Sequence, residues 1–180
     1  MVRAEDVTTI CQRLAAQDIP VWLIGGWGVD ALLGEQTRPH KDLDLLVRLD
    51  DVVRLTTILS QDGFTLKELW SENRQAVDPN GVETPTAFVL WGSQGREVDV
   101  HALHLDEQGN GIPDWEAGSF IFPRQSLAAK GQIAGKTVRC LSPEMQMVCH
   151  TGYDLPISHR RDLALLHEKL GVDYPAGISP

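Results

Sequence analysis

Two aspartates, Asp42 and Asp44, stand at the leading edge of an apolar run that ends at Val47. The run has the composition of a β-strand, and side chains in a strand alternate between its two faces. The two carboxylates are therefore expected on one face, with their Cα atoms roughly 6.5–7 Å apart. Oxygen atoms at this separation can converge on a hard divalent cation such as Mg²⁺. A strand that turns one polar face to water would show the same pattern.

A glycine pair, Gly25 and Gly26, precedes the aspartates. The strand-like run Val21–Ile24 leads into the pair, and a short helical pattern follows it and ends at Gly34. A glycine pair alone predicts only a tight turn. Between a strand and a helix, however, glycines let backbone N–H groups approach the phosphates of a nucleotide. Together with carboxylates that could hold Mg²⁺ against the same phosphates, this order indicates a nucleotide site.

The order Gly25-Gly26, fifteen residues, Asp42-Leu43-Asp44 resembles the signature of the nucleotidyltransferase superfamily that includes DNA polymerase β. The fuller string GGWGVDALLG…TRPHKDLDLLV resembles the small antibiotic nucleotidyltransferases, which adenylate lincosamides or the 2''-hydroxyl of aminoglycosides. This resemblance implies a nucleotidyltransferase fold, with Mg²⁺ as cofactor and ATP as co-substrate. It extends more weakly to a third carboxylate near Asp99 and to the last helices.

The third carboxylate is expected on the stretch at residues 96–103, where Glu97, Asp99 and His101 alternate with apolar residues. A polar face on an edge strand would explain the alternation without any function. Beside the aspartate pair, Asp99 becomes the candidate third metal ligand, or the base that accepts a proton from an acceptor hydroxyl, or both. Glu97 competes for the same role, and His101 is the alternative base.

Four further residues are candidate contacts to the nucleotide. In the family that the sequence resembles, the stretch that contains Arg38 and His40 borders the nucleotide site. Arg38 could bind a phosphate, or it could form a structural ion pair with Asp30. Trp27 directly follows the glycines and could stack on a base or fill the core. Arg160 lies in the charged first turn of the last helix, which is either solvated or reaches the triphosphate.

Hydrophobic periodicity and turn residues predict an α+β chain. Helices are expected at residues 4–17, directly after the glycine pair, and at residues 50–62, 142–151 and 158–170. Strands are expected at residues 21–24, 43–47, 64–70, 74–77, 84–91, 96–103, 120–122 and 136–140. A turn is expected at residues 78–81, a long loop at residues 104–119 and a mobile tail from residue 174.

These elements predict a small mixed sheet backed by helices, with a helical C-terminal portion. Residues 1–140 would form the nucleotidyltransferase core with a strand-rich extension. Residues 141–180 would form the helical portion, which closes one side and is not an independent domain. A chain of 180 residues is long enough for one well-formed core, so two separate domains are not expected.

Composition and net charge indicate which kinds of molecule the protein is expected to bind. The formal net charge of −9 argues against a nucleic-acid partner and would attract a cationic small molecule. No apolar stretch approaches the roughly 18 residues of a membrane span, and the first residues lack the apolar core of a signal peptide. We therefore expect a cytoplasmic protein with no membrane partner. The three cysteines form no CxxC pair, which indicates neither a zinc site nor a disulfide framework.

The leading hypothesis is an enzyme that transfers a nucleoside monophosphate, most simply AMP from ATP, to a hydroxyl of a small antibiotic. The hydroxyl would attack the α-phosphorus in line, and pyrophosphate would leave. Aminoglycosides and lincosamides both remain open as acceptors, with the negative charge favouring a polycation. One alternative is a nucleotidyltransferase that modifies a protein or a transfer RNA. Another is a non-catalytic nucleotide-binding domain, which would lack one of the carboxylates. A second copy could complete the pocket of so small a protein, so a homodimer is a further expectation.

Overall fold

The computed structural model describes residues 1–77, 81–115, 120–151 and 154–175. Its helices are α1 (Ala4–Ala15), α2 (Gly25–Leu33), α3 (Val52–Gln61), α4 (Pro143–Cys149) and α5 (Ile157–Leu170). Its strands are β1 (Val21–Ile24), β2 (Asp42–Arg48), β3 (Thr65–Leu69), β4 (Gln75–Val77), β5 (Glu83–Pro85), β6 (Ala87–Gly92), β7 (Arg96–Leu105), β8 (Gly111–Pro113), β9 (Lys130–Ile133) and β10 (Lys136–Arg139). Most of the predicted turn at residues 78–81 and of the tail from residue 174 lies outside the described residues.

The main sheet has the strand order β1-β2-β7-β6-β3, and β8 pairs with the far end of β7. Strands β2 and β7 run parallel, whereas every other pair in this sheet is antiparallel. Two smaller two-stranded sheets are formed by β9 with β10 and by β4 with β5. The predicted α+β class and mixed sheet are confirmed.

The two faces of the main sheet have different roles. One face packs against α1 and α3 in the largest apolar cluster, to which β2 contributes Leu43, Leu45 and Val47. The other face carries the polar side chains of β2, and further along it Trp22, Leu46 and Leu103 belong to a second apolar cluster. Because side chains alternate along a strand, burying the first set holds Asp42 and Asp44 on the opposite face.

The C-terminal helices pack on the core through α2. Ser142 caps α4, since its hydroxyl accepts a hydrogen bond from the backbone N–H of Met145. Helix α5 buries Leu163 and Leu166 in a cluster that includes Val29 of α2. The division into a core and a C-terminal helical portion stays a prediction. Among the described residues, no helix has both the length and the apolar character needed to cross a membrane.

Some predicted elements differ from the structure. The predicted strand at residues 84–91 is divided into β5 and β6, because the side chain of Asn73 accepts hydrogen bonds from the backbone N–H groups of Thr86 and Ala87. The predicted loop at residues 104–119 contains β8, which can return to β7 because the Asp106 side chain accepts backbone N–H bonds and reverses the chain.

Two more predictions concern short strands. The strand predicted at residues 120–122 is only a single bridge between Phe122 and Gly111. In contrast, β9 was not expected, and it pairs with β10 across a tight turn at Ala134 and Gly135, both of which have positive φ. The positive φ of both turn residues gives the tight reversal that lets β9 pair with β10.

Candidate active site

The parallel pairing of β2 with β7 places Asp44 directly opposite Asp99, and Asp42 opposite Glu97. In-register residues on adjacent strands lie on the same face of a sheet, with strands about 4.8 Å apart. Asp42, Asp44 and Asp99 therefore lie together on the face that α1 and α3 leave uncovered. This is the arrangement in which three carboxylates from two strands can act on one ligand.

The three aspartates repel one another in a partly desolvated site. Burial raises the pKa of Asp44 well above its ordinary value, and the negative charges of Asp42 and Asp99 raise it further. Burial also raises the pKa of Asp99 to about 7, against the hydrogen bond that Trp70 donates to its Oδ1 over 2.7 Å. A cation placed between these carboxylates would relieve the repulsion.

The chemistry of the site suits a hard divalent cation such as Mg²⁺. Its donors are carboxylate oxygens, which are the protein ligands that Mg²⁺ prefers. As the side chains stand, no three His, Cys, Asp or Glu residues within the described parts of the chain already enclose a metal position. The fit rests on the donor set and on the crowded negative charge around Asp44. Asp42, Asp44 and Asp99 are the residues that would hold the ion.

Glu97 is tied to two lysines and not to the aspartates. Its carboxylate lies 3.1 Å from Lys41 Nζ and 3.2 Å from Lys67 Nζ. Burial alone would raise the pKa of Glu97, but the hydrogen bonds from the two ammonium groups outweigh burial and lower the pKa. Asp99 has no such ion pair with a lysine or arginine among the described residues. The geometry therefore favours Asp99 over Glu97 as the third carboxylate.

The glycine pair forms the start of α2, beside the carboxylates. Gly25 has a φ of +59°, and a Cβ at this position would collide with the Asp44 carboxylate. A Cβ on Gly26 would collide with the His40 ring and lie 2.7 Å from Arg38 Nη2. The first N–H groups of a helix have no partner within it. Two glycines thus place amide donors without a partner in the helix directly beside the aspartates, in an arrangement that suits phosphate oxygens.

Gly25→Ala tests this close approach. We expect the free energy of unfolding to fall by roughly 1–3 kcal/mol more than in Gly63→Ala, because the new methyl collides with Asp44. Gly63 is the matched control, since it has a φ of +81° and nothing within 4 Å of its Cβ position. Urea unfolding of both variants measures the difference. Equal losses of stability would mean that Asp44 can move away without cost.

Arg38 does not pair with Asp30, so the predicted structural ion pair between them is wrong. Asp30 is fully buried and accepts hydrogen bonds from the Thr37 hydroxyl at 2.6 Å and from the Thr37 backbone N–H at 3.1 Å. Its other oxygen lies 2.5 Å from His40 Nε2. Thr37 and His40 thus engage both oxygens of Asp30, and Arg38 extends instead to Asp162 of α5, with Nη2 2.7 Å from Oδ2.

A cavity of about 470 Å³ lies next to Asp99 and is lined by Ser71, Glu72, Asn73, Arg74 and Trp115. His101 connects the cavity to the carboxylates, because its Nδ1 lies 3.6 Å from Asp99 Oδ1 and its Nε2 lies 3.8 Å from Glu72. The ring of Trp115 contacts His101 edge to face, with centroids 4.8 Å apart. The site thus has one side at the glycines, whose geometry suits phosphate oxygens, and a second, polar recess beyond Asp99.

Comparison with known proteins identifies the kind of enzyme that this site belongs to. A family model described as aminoglycoside-2''-adenylyltransferase matches residues 6–166, which include the glycine pair and all three aspartates. The chain belongs to the aminoglycoside-2''-adenylyltransferase family. It is a nucleotidyltransferase, as its resemblance to the small antibiotic nucleotidyltransferases implied.

Relatives of this family member have been named for two kinds of antibiotic. A 2''-aminoglycoside nucleotidyltransferase of Klebsiella pneumoniae is 55% identical in an alignment that covers 93% of this chain and 89% of the relative. A lincosamide resistance protein of Staphylococcus haemolyticus is 25% identical over 146 residues, which cover 81% of this chain and 82% of the relative.

Solved structures of similar proteins confirm the nucleotidyltransferase fold of this family member. The lincosamide adenylyltransferase LnuA, with bound lincomycin, superposes with a TM-score of 0.75 at 24% identity and covers 92% of this chain and 96% of its own. The structure of ANT(2'')-Ia in complex with adenylyl-2''-tobramycin superposes with a TM-score of 0.70 at 22% identity and covers 93% of this chain and 89% of its own.

The four other residues that were predicted to contact the nucleotide in this adenylyltransferase family member differ in their solvent exposure. Trp27 is 1% exposed and His40 is 2% exposed, with ring centroids 4.6 Å apart, so both lie beneath the glycines rather than over them. Arg38 keeps one edge at the glycine pair. Arg160 is exposed, and its Nε donates to the carbonyl oxygen of Leu155. Of these four residues, the structure brings only Arg38 to the surface of the site.

Sequence reasoning missed two residues that contact the site. Trp70 donates to Asp99, and Asp162 binds Arg38. Asp162 carried a usable signal, because an aspartate beside Leu163 and four residues before Leu166 falls on the buried side of an amphipathic helix. A buried carboxylate needs a partner, and Arg38 supplies it. Trp70 carried no such signal, since its contact depends on how β3 pairs with β6.

Proposed function

We propose that this protein transfers AMP from ATP to a hydroxyl of an aminoglycoside, with Mg²⁺ as cofactor. The observation that carries the proposal is the register of Asp44 opposite Asp99, next to the free amides of Gly25 and Gly26. Membership of the family and the 2''-aminoglycoside nucleotidyltransferase that is 55% identical support the reaction and the acceptor class. A cytoplasmic location, where ATP is available, is part of the same proposal.

Different residues of the site would bind the phosphates, hold the cation and accept the proton. The amides at the start of α2 donate hydrogen bonds to the phosphates, and the outer edge of Arg38 faces the same place. Asp42, Asp44 and Asp99 would hold Mg²⁺, which when bound would stabilise the charge on the phosphates and on the attacking and leaving oxygens. Asp99 is also the candidate base that would take the proton from the acceptor hydroxyl, in addition to or in place of its role as a metal ligand. Without a bound cation its pKa is about 7, within the range in which a carboxylate can exchange a proton at neutral pH.

The recess beyond Asp99 suits a cationic acceptor. Asp99 feels the negative charges of Glu68 and Glu72 as well as that of Asp42, and these carboxylates outnumber Arg74, the cationic residue in the lining of the recess. Aminoglycosides carry several ammonium groups, which an acidic recess attracts and orients. The net charge of −9 acts in the same direction at longer range.

Glu72→Gln tests the acceptor side. We expect the KM for tobramycin to rise about tenfold, because one charged hydrogen bond to an ammonium group is worth about 1.4 kcal/mol. The kcat and the KM for ATP should stay within twofold, since Glu72 is separated from the glycine pair by His101 and Asp99. Glu83→Gln, which removes the same charge from an exposed position on β5, is the control. An unchanged KM for tobramycin would place the acceptor elsewhere.

The proposed function is tested by pyrophosphate release from ATP and Mg²⁺ with tobramycin, lincomycin or bulk transfer RNA. We expect release with tobramycin and an adenylylated tobramycin by mass spectrometry. A lincosamide is the second candidate acceptor, because LnuA superposes with a TM-score of 0.75, the higher of the two structural scores above. Release with lincomycin alone would select that acceptor. Release with transfer RNA alone would select the macromolecular alternative, and no release with any of them would reject the proposal.

A further inference from the structure

The one buried acidic residue of α5 that faces the site is Asp162. It is 1% exposed, and its two oxygens bind the same guanidinium, with Arg38 Nε 3.1 Å from Oδ1 and Nη2 2.7 Å from Oδ2. This two-point contact fixes both the position and the plane of the arginine fork. It joins residues that are 124 positions apart in the chain.

The guanidinium of Arg38 keeps N–H donors that Asp162 does not occupy. The side chain of Arg38 is 19% exposed, and its Nη2 lies 2.7 Å from the point where a Cβ on Gly26 would stand. A guanidinium has five N–H donors, and Asp162 occupies two of them. Another points towards the carbonyl oxygen of Pro39, at 3.4 Å. Nη2 makes one bond to Asp162 and so keeps one further N–H on the side of the glycine pair, where a phosphate would bind.

The carboxylates of the site also attract the positive charge of Arg38. Its charge interacts with the charges of both Asp42 and Asp44. An arginine side chain without a fixed partner has several rotamers, and two nearby carboxylates would favour those that form an ion pair with them. Such a pair would occupy the oxygens that are needed for a cation. The contact to α5 prevents it.

We propose that Asp162 is a positioning residue: it holds Arg38 beside Gly26, where the guanidinium meets the phosphates of ATP, and away from Asp42 and Asp44. The inference rests on the proposed function and assigns a catalytic purpose to α5. Helix α5 then does more than cover α2, because the nucleotide side of the site is incomplete without its carboxylate. Preorganisation of this kind raises the rate by fixing groups before the substrate arrives.

The central test is a double-mutant cycle of Asp162→Asn and Arg38→Gln, measured by pyrophosphate release with ATP and tobramycin. We expect Asp162→Asn to raise the KM for ATP about tenfold and to lower kcat about tenfold, with the KM for tobramycin unchanged. The double variant should be no worse than Arg38→Gln alone, because Asp162 acts only through Arg38. Additive losses in the double variant would overturn the proposal.

Arg38→Lys tests whether the fixed position of the guanidinium matters in addition to its positive charge. It also leaves the buried Asp162 carboxylate with a cation beside it. A lysine keeps the positive charge beside Asp162 but cannot make the two-point contact. We expect it to be as impaired as Arg38→Gln, within about threefold in kcat/KM for ATP. A lysine variant with the KM of the unaltered protein for ATP would overturn the proposal, even if Asp162→Asn alone did not fold.

Lys169→Gln is the control for a general loosening of α5. It removes the exposed ion pair that Lys169 of this helix forms with Glu35. Surface pairs of this kind contribute little, so we expect all kinetic constants to stay within twofold. If the unaltered protein shows no turnover, the proposed function fails. If it turns over and Asp162→Asn keeps the normal KM for ATP, only the positioning role fails.

Discussion

Asp42→Asn and Asp44→Asn are each expected to lower kcat by a factor of about 1,000 or more while the protein stays folded. An amide cannot supply the negative charge that Mg²⁺ requires of its ligands, and loss of metal-ion catalysis costs several kcal/mol of transition-state stabilisation. The fold should tolerate the change, because the burial and charge repulsion that raise the pKa of Asp44 also oppose its ionised form. Steady-state pyrophosphate release and thermal unfolding measure the two effects.

The control for these variants is Asp50→Asn. Asp50 is an exposed aspartate in the 3-10 turn that follows β2, outside the face that carries the three carboxylates. Its replacement should leave kcat within twofold. If Asp42→Asn or Asp44→Asn kept more than about a tenth of the normal rate, the assignment of a metal site to β2 would have to be abandoned.

The strand, glycine pair, helix and second strand from Val21 to Arg48 could be predicted from the sequence, because each element there is defined locally. Apolar runs of strand type mark β1 and β2, and Gly34 ends α2 with a φ of +72°. The common face of Asp42 and Asp44 follows from the two-residue period alone. The position of Asp99 opposite Asp44 does not, because register between strands that are separated by 47 residues depends on the whole sheet.

Side-chain pairing was the least predictable part of the site. The sequence suggested a phosphate or Asp30 as the partner of Arg38, yet Arg38 binds Asp162, which α5 brings from the other end of the chain. Asp30 was unavailable because Thr37 and His40 already bind it. The partner of a buried charged residue depends on which polar groups the packed fold brings within hydrogen-bond distance. A local sequence pattern does not contain this information. Short β8 was missed for a related reason, since the Asp106 turn that creates it depends on side-chain hydrogen bonds.

Asp99→Asn is expected to abolish most turnover and, at the same time, to stabilise the fold in a pH-dependent way. The pKa of Asp99 is about 7 in the folded protein against 3.8 in an unfolded chain, so the fold binds the proton more tightly. The stabilisation from the protonated carboxyl is therefore complete below about pH 4 and is lost as the pH rises through 7. Asparagine does not titrate and can still accept the Trp70 hydrogen bond.

In EDTA, which keeps metal ions out of the comparison, Asp99→Asn should exceed the unaltered protein in free energy of unfolding by roughly 2–4 kcal/mol at pH 8. At pH 4 the two proteins should differ by less than about 1 kcal/mol. Urea unfolding at both pH values measures this difference. If Asp99→Asn is equally stable at pH 8, or less stable, then burial and neighbouring charges do not destabilise the ionised Asp99 carboxylate in the fold.

The same variant separates the two roles that remain open for Asp99. If it loses turnover but binds ATP and Mg²⁺ with normal affinity, Asp99 acts as the base, because the cation is then held by Asp42 and Asp44 alone. If affinity for Mg²⁺ and turnover fall together, Asp99 is a ligand of the metal. Stability gained where turnover is lost would show that the fold keeps a buried, repelled carboxylate because the reaction needs it. Retained turnover would transfer the role of base to His101, the neighbouring group 3.6 Å away.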